Sequence, residues 1–275
     1  MSIAHAGSRG FLALMALLMA GGPLGAQEGS RLPPAPKVNL PAAPTPTIKF
    51  PGNDLTGIGP VDHRTTVDQT EMPWRAVGRI KAAGSSCTGA LIGPSLMLTA
   101  AHCVFSPQSR KQYAAQDLHF LLAYSEGKFT ADARGTRIII PDSYDPILAI
   151  GSMGNDWALV ELDKPIGTPD RILPMRARAP VAGDSVALGG YAKDKIEFLM
   201  ADLRCHALGL ILDRNGIPLI HHNCSATHGV SGAPLLIRDG DTWVIGGIEV
   251  VASPTHGGGA AVLYAVHEAM EKLGK

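Results

Sequence analysis

The chain has 275 residues, enough for one large β-protein or two small domains, and it carries 32 Gly and 21 Pro against only 5% aromatic residues. That balance of many turn formers and few charges favours short strands joined by tight turns over long helices. Lys+Arg and Asp+Glu are both 24, which leaves neither the basic footprint of a nucleic-acid binder nor an acidic solvating tail.

The N-terminus reads as an export signal. Arg9 gives a small positive start, Phe11–Ala20 is an apolar run, and Gly21–Ala26 is a small-residue stretch that predicts cleavage after Ala26. The run is too short for a bilayer span, so stable membrane insertion is not expected once residues 1–26 are removed. Residues 27–58 are rich in Pro and Ala with little apolar periodicity, and are expected to form a pro-segment or linker. The folded part is then expected over 59–275.

Short β-type runs bounded by turn residues follow. Six are expected in the first half: Ala76–Lys81, Cys87–Ile92, Leu96–Thr99, His119–Ala123, Thr136–Ile140 and Trp157–Leu162. A Pro-bearing connection separates them from six more: Ser185–Gly189, Asp202–Leu210, Pro218–His222, Ala233–Ile237, Trp243–Val251 and Ala260–Tyr264. Two β-rich halves predict an all-β fold of two antiparallel barrels, about 72–170 and 181–264, with a crevice between them. A short terminal helix is expected at about 266–273, with Met270 and Leu273 facing the body. Trp74 and Trp243 are expected to fill cores, and Trp157 to pack behind Asp156. Gly257-Gly258-Gly259 lacks the preceding strand and following helix of a phosphate loop. No cofactor is expected.

Four cysteines, Cys87, Cys103, Cys205 and Cys224, allow three pairings. They fall into two local pairs, which favours Cys87–Cys103 and Cys205–Cys224 in an oxidising compartment.

Three runs carry chemistry. Leu96-Met97-Leu98-Thr99 leads through the small Ala100 and Ala101 to His102, a base presented at a strand end. Asp156 precedes the apolar Trp157-Ala158-Leu159-Val160, so its carboxylate is expected to be partly buried and to need a donor such as an imidazole N–H. Ser231 lies in His228-Gly229-Val230-Ser231-Gly232-Ala233-Pro234. A serine hydroxyl is a poor nucleophile until a base of fixed tautomer stands within reach. Gly229 can take backbone angles closed to other residues, so the Gly229 and Ser231 N–H groups could form an oxyanion hole.

These runs occur in the order His, Asp, Ser, and the chain resembles the trypsin/chymotrypsin-like serine endopeptidases. It is most similar to the bacterial secreted branch that includes the glutamyl (V8-like) endopeptidases. Further stretches carry the resemblance: Asp62-His63-Arg64 through Pro73-Trp74-Arg75-Ala76-Val77-Gly78, Cys87-Thr88-Gly89-Ala90-Leu91-Ile92-Gly93-Pro94, Asp156-Trp157-Ala158, Gly183-Asp184-Ser185 through Gly190-Tyr191, and Cys224 through Pro234. It implies two six-stranded antiparallel β-barrels with the active site between them and a short C-terminal helix. It also implies His102 as base then acid, Asp156 as its orienting group, Ser231 as acylated nucleophile, and peptide or protein substrates handled by a secreted or periplasmic monomer.

Two departures from the pattern matter. The digestive enzymes carry Asp just before the nucleophile, paired with a new N-terminal amine, whereas Val230 cannot form that ion pair. Removal of the leader could instead act by unblocking the cleft. The substrate pocket is expected from Ser225, Ala226, Thr227, His228, Glu249, Val250 and Val251. Glutamyl-specific relatives place a histidine on the middle wall where this chain offers Glu249, whose facing is not fixed by strand alternation alone. Rival readings are a catalytically silent binding protein on a protease scaffold, a secreted esterase, and a structural zinc site. The last would draw on Cys205, His206, His221, His222, Cys224 and His228, although no C-x-x-C or H-x-x-x-H spacing occurs. No metal is expected.

Overall fold

A computed structural model describes residues 56–83, 85–148 and 151–274. The expected export signal and all but the last three residues of the expected leader lie outside them. Thirteen strands and one α-helix form in this part: β1 (Thr65–Thr66), β2 (Val77–Ala82), β3 (Ser85–Gly93), β4 (Leu96–Thr99), β5 (His119–Leu122), β6 (Ala131–Ile139), β7 (Ala158–Leu162), β8 (Ser185–Gly190), β9 (Met200–Leu212), β10 (Pro218–His222), β11 (Pro234–Asp239), β12 (Thr242–Ala252), β13 (Gly258–Ala261) and α1 (Tyr264–Lys272).

Strands β2-β3-β4-β7-β6-β5 close into one antiparallel barrel. The second barrel runs β8-β9-β10-β13-β12-β11 and returns to β8. Strand β9 makes this closure possible: its first part pairs with β8 and its last part with β10. Closure removes the free edges that short strands would otherwise expose. The all-β fold of two six-stranded barrels is therefore the observed one.

Central strands are apolar on both faces. All four residues of β4 are buried, as are Ala158, Leu159, Val160 and Leu162 of β7. Met97, Leu98, Phe120, Leu122 and Leu159 fill the first barrel, and Leu188, Ile220, Leu235 and Val244 fill much of the second. Gly189 leaves room for the Trp74 ring, which a Cβ would approach to 2.5 Å.

Boundaries differ from the sequence expectation where burial alternates poorly. Strand β6 begins at Ala131, five residues before the expected Thr136, because its exposed Arg134 and Thr136 hide the apolar pattern. Strand β9 begins at Met200, and its far end carries exposed Leu208, Leu210 and Leu212. The helix starts at Tyr264 and ends at Lys272, with Val266 buried and Met270 and Leu273 packed on the core as expected. Strand β1 was not expected; its two residues pair with Met200 and Ala201. Trp74 and Trp157 are buried. Trp243 is only half-buried, with Arg238 stacked over its ring at 4.0 Å.

Candidate active site

Strand pairing brings His102 and Asp156 together. In the β4–β7 ladder Thr99 faces Ala158. The chain leaving β4 therefore passes the chain entering β7, three residues before His102 and two after Asp156. A short 3-10 turn, Ala101–Val104, places the His102 ring, and the Cys87–Cys103 disulfide ties this turn to β3. Asp156 is 2% exposed. Its Oδ1 accepts the His102 backbone N–H at 2.8 Å, and its Oδ2 lies 2.6 Å from His102 Nδ1. With Nδ1–H donating to the carboxylate, Nε2 is left as the acceptor facing the cleft. Burial works against the imidazolium, but the Asp156 charge, its hydrogen bond and the more distant charge of Glu249 together outweigh it. The His102 pKa is raised as a result.

Ser231 arrives from the other barrel. Its carbonyl accepts the Thr88 N–H of β3 at 2.9 Å, so the serine loop is pinned across the crevice. Two peptide planes beside it are fixed from behind. The His228 carbonyl accepts the Lys193 N–H at 2.7 Å, and the Val230 carbonyl accepts the Ala233 N–H at 2.9 Å. In a trans peptide the N–H points opposite to the C=O. The N–H groups of Gly229 and Ser231 are thus turned away from those partners, and neither has an acceptor among the described residues. Gly229 adopts φ +95°, and a Cβ there would approach Lys193 N to 3.1 Å and the Tyr191 carbonyl closer still. Thr88 Oγ1 donates to the Gly229 carbonyl at 2.9 Å and accepts the Tyr191 N–H at 3.0 Å.

His102, Asp156 and Ser231 all line one cavity of about 510 Å³. Of the expected pocket residues, Thr227, His228, Glu249, Val250 and Val251 line it too, together with Gly258 and Gly259 of β13. Ser225 and Ala226 do not. They are buried behind the wall, where the Ser225 hydroxyl donates to the Ile58 carbonyl at 3.2 Å and the Ser225 N–H to Asp202 at 2.9 Å.

Glu249 is 2% exposed and its carboxylate sits 2.6 Å from His222 Nε2. The other ring nitrogen, Nδ1, accepts the Cys224 N–H at 3.2 Å. An Nδ1 that accepts carries no proton, so Nε2–H is the donor and the imidazole is neutral. The pair then holds one net negative charge when Glu249 is ionised. Gly258 makes room for it: a Cβ there would stand 2.6 Å from Glu249 Oε1.

Cys205 and Cys224 are joined in a disulfide, and no free cysteine remains among the described residues. The zinc alternative loses its two sulfur ligands to this bond. Cys87, His102 and Cys103 also cluster, but both sulfurs are in the other disulfide.

Sequence reasoning did not find the supports of the site. Thr88, Asp202, His222 and the buried Arg64 with its partner Asp194 act through pairings between residues far apart in the chain, which no local pattern encodes. Only the apolar surroundings of Thr88 and the doubled His221-His222 hinted at buried polar groups.

Comparison with known proteins agrees with this fold. The chain is 28% identical over 151 residues to the glutamyl endopeptidase of Bacillus licheniformis, a match that covers 54% of this chain and 45% of that protein. The chain thus aligns with less than half of that relative's length. A solved structure of a Glu endopeptidase in complex with MPD superposes with a TM-score of 0.62 at 23% identity, over 82% of this chain and 99% of that one, which speaks to the fold. The family model described as Trypsin matches residues 61–272, which take in both barrels and all three groups at the cavity. The chain belongs to the trypsin family of serine endopeptidases.

Proposed function

We propose that this protein is an exported serine endopeptidase that cleaves peptide bonds through an acyl-enzyme. The observation that carries the reading is that a carboxylate-oriented imidazole and Ser231 line one cavity, with the N–H groups of Gly229 and Ser231 left without acceptors among the described residues. Ser231 Oγ attacks the substrate carbonyl carbon while its proton passes to His102 Nε2. The carbonyl oxygen gathers negative charge against the N–H groups of Gly229 and Ser231. His102 then returns the proton to the leaving amine, and water deacylates the serine by the same route. Asp156 keeps its proton balance unchanged and stabilises the imidazolium.

Substrate choice follows from the buried charge. The Bacillus licheniformis relative is by name a glutamyl endopeptidase, which points to glutamyl substrates. In this chain an acidic P1 side chain would meet the like charge of the Glu249–His222 pair on the cavity wall. A Lys or Arg side chain would meet an opposite one at Glu249, in a cavity also lined by Arg110, His221, His228, Val250, Val251 and Gly258. We therefore assign a preference for cationic P1 residues. The expected partners are peptides and proteins reached outside the cytoplasm, with the enzyme working as a monomer after loss of residues 1–26. The two disulfides suit that compartment. Among the described residues no helix is long and apolar enough to cross a membrane.

A fluorophosphonate probe tests the chemistry. It should label the wild type and leave Ser231→Ala unlabelled, with turnover lost in parallel; an unlabelled wild type would favour the silent binding protein. A peptide library varied at P1 tests the pocket. Lys and Arg should lead, and a preference for Glu would sink the assignment of Glu249.

A further inference from the structure

Val230 leaves the nucleophile loop without a carboxylate at its centre, yet the oxyanion peptides are held in one orientation. The anchor lies elsewhere. The Lys193 N–H that grips the His228 carbonyl belongs to a one-turn 3-10 segment, Lys193–Lys195. The middle residue of that turn, Asp194, accepts two bonds from one guanidinium: Arg64 Nη1 to Oδ1 at 3.0 Å and Nη2 to Oδ2 at 2.7 Å. Arg64 is also gripped by Asp62, from Nε to Oδ1 and from Nη2 to Oδ2, both at 2.9 Å. Its side chain is 1% exposed.

Arg64 sits on an arm that precedes both barrels and lies along the second. The Gly57 carbonyl accepts the N–H groups of Ala226 at 3.4 Å and Gly257 at 3.0 Å. Ile58 bridges to His256 and takes the Ser225 hydroxyl on its carbonyl. The arm ends in β1, paired with β9. One short stretch thus touches the back of the substrate wall and the turn that orients the oxyanion peptide.

We infer that Arg64 is a positioning residue for the oxyanion hole, acting through Asp194 and Lys193 on the His228–Gly229 peptide, so that the arm serves as a built-in activating strap. This rests on the serine-protease reading above. A buried ion pair adds little to net stability when its desolvation is counted, and its clearest use is to fix one arrangement among several. Here the arrangement fixed is that of a turn 130 residues away in the chain. Asp62 completes the fork, so the guanidinium cannot swing to another acceptor without leaving a carboxylate unpaired. Burial opposes the Arg64 charge and the two carboxylates outweigh it, which keeps the cation in place at every working pH.

The test separates a misaligned hole from a damaged fold. Arg64→Met and Asp194→Asn are compared with wild type for kcat and KM on one peptide amide, for affinity toward a peptide aldehyde whose hemiacetal oxygen needs the hole, and for thermal unfolding. Loss of one such donor costs about 100-fold or more, so kcat and aldehyde affinity should fall together by about that factor in variants still folded at the assay temperature. KM should move by less than about threefold, since the pair contacts no substrate. Arg64→Lys, which keeps the charge without the fork, should fall between.

Folded variants with wild-type kcat and aldehyde affinity would overturn the inference. So would a failure of both variants to fold, since the pair would then hold the barrel and not the hole. A wild type that the fluorophosphonate does not label would instead remove the protease reading. A labelled, active wild type with unaffected variants removes only the role of Arg64.

Discussion

Asp156 accepts two hydrogen bonds from one residue, and that fixes what His102 can do. With the backbone N–H and the ring Nδ1 both on the carboxylate, the ring cannot rotate or change tautomer without breaking a buried bond. Asp156→Asn should preserve the fold but present an amide N–H or the wrong acceptor to the ring, lowering kcat by about 10⁴-fold, as expected for loss of the orienting carboxylate. The raised His102 pKa sets the pH dependence. In the mechanism proposed above the neutral ring is the base, so activity should fall away progressively below that pKa and appear as pH rises through it. The acid limb of kcat/KM should therefore have its midpoint above the ordinary 6.5. A midpoint below that value, on a substrate with no titrating group, would contradict the Asp156 geometry.

At the scale of elements, single pairings decide where side chains from distant sequence meet. The β4–β7 register carries His102 to Asp156, and a register slip of one residue would separate them. In the second barrel the Cys205–Cys224 bond joins β9 to the chain leaving β10, just before the buried Ser225 and Ala226. It closes a loop with a sequence separation of 19. In the chain-entropy view a loop of this size contributes about 3 kcal/mol. Replacing both cysteines by Ala should lower the urea midpoint by a corresponding amount. The backbone N–H that fixes the His222 tautomer belongs to Cys224 and is kept by alanine, so P1 preference should be retained while stability falls. The double variant measured by denaturation and by the same P1 library checks both.

At the scale of the whole molecule, the arm before the barrels is part of the folded unit. Gly57 and Ile58 are docked on the second barrel, although the sequence placed the folded part from residue 59. Their composition continues that of the Pro-rich leader, and their role comes from carbonyls that accept distant N–H groups. Thr56, the first described residue, lines the same cavity as His102 and Ser231. Protein beginning at Thr56 should therefore hydrolyse peptides faster than protein beginning at Gln27. Protein beginning at Gly59 should be slower than the Thr56 form, having lost the bonds that back the pocket. Equal rates for the Gln27 and Thr56 forms, with the leader shown intact by mass, would rule out occlusion.

The sequence alone determined the all-β class, nearly every strand, the two cysteine pairs, and the His102, Asp156 and Ser231 candidates. Those features are local: apolar runs between turn formers, and reactive side chains next to strand ends or between glycines. Tertiary structure alone decided that Glu249 faces the cavity with a neutral His222 behind it, and that Ser225 and Ala226 face away. It also decided that Arg64 reaches the turn that holds the His228 carbonyl. The physical reason is common to all three. A buried charge or polar group is fixed by its partners, and here those partners come from other strands and turns far off in the chain.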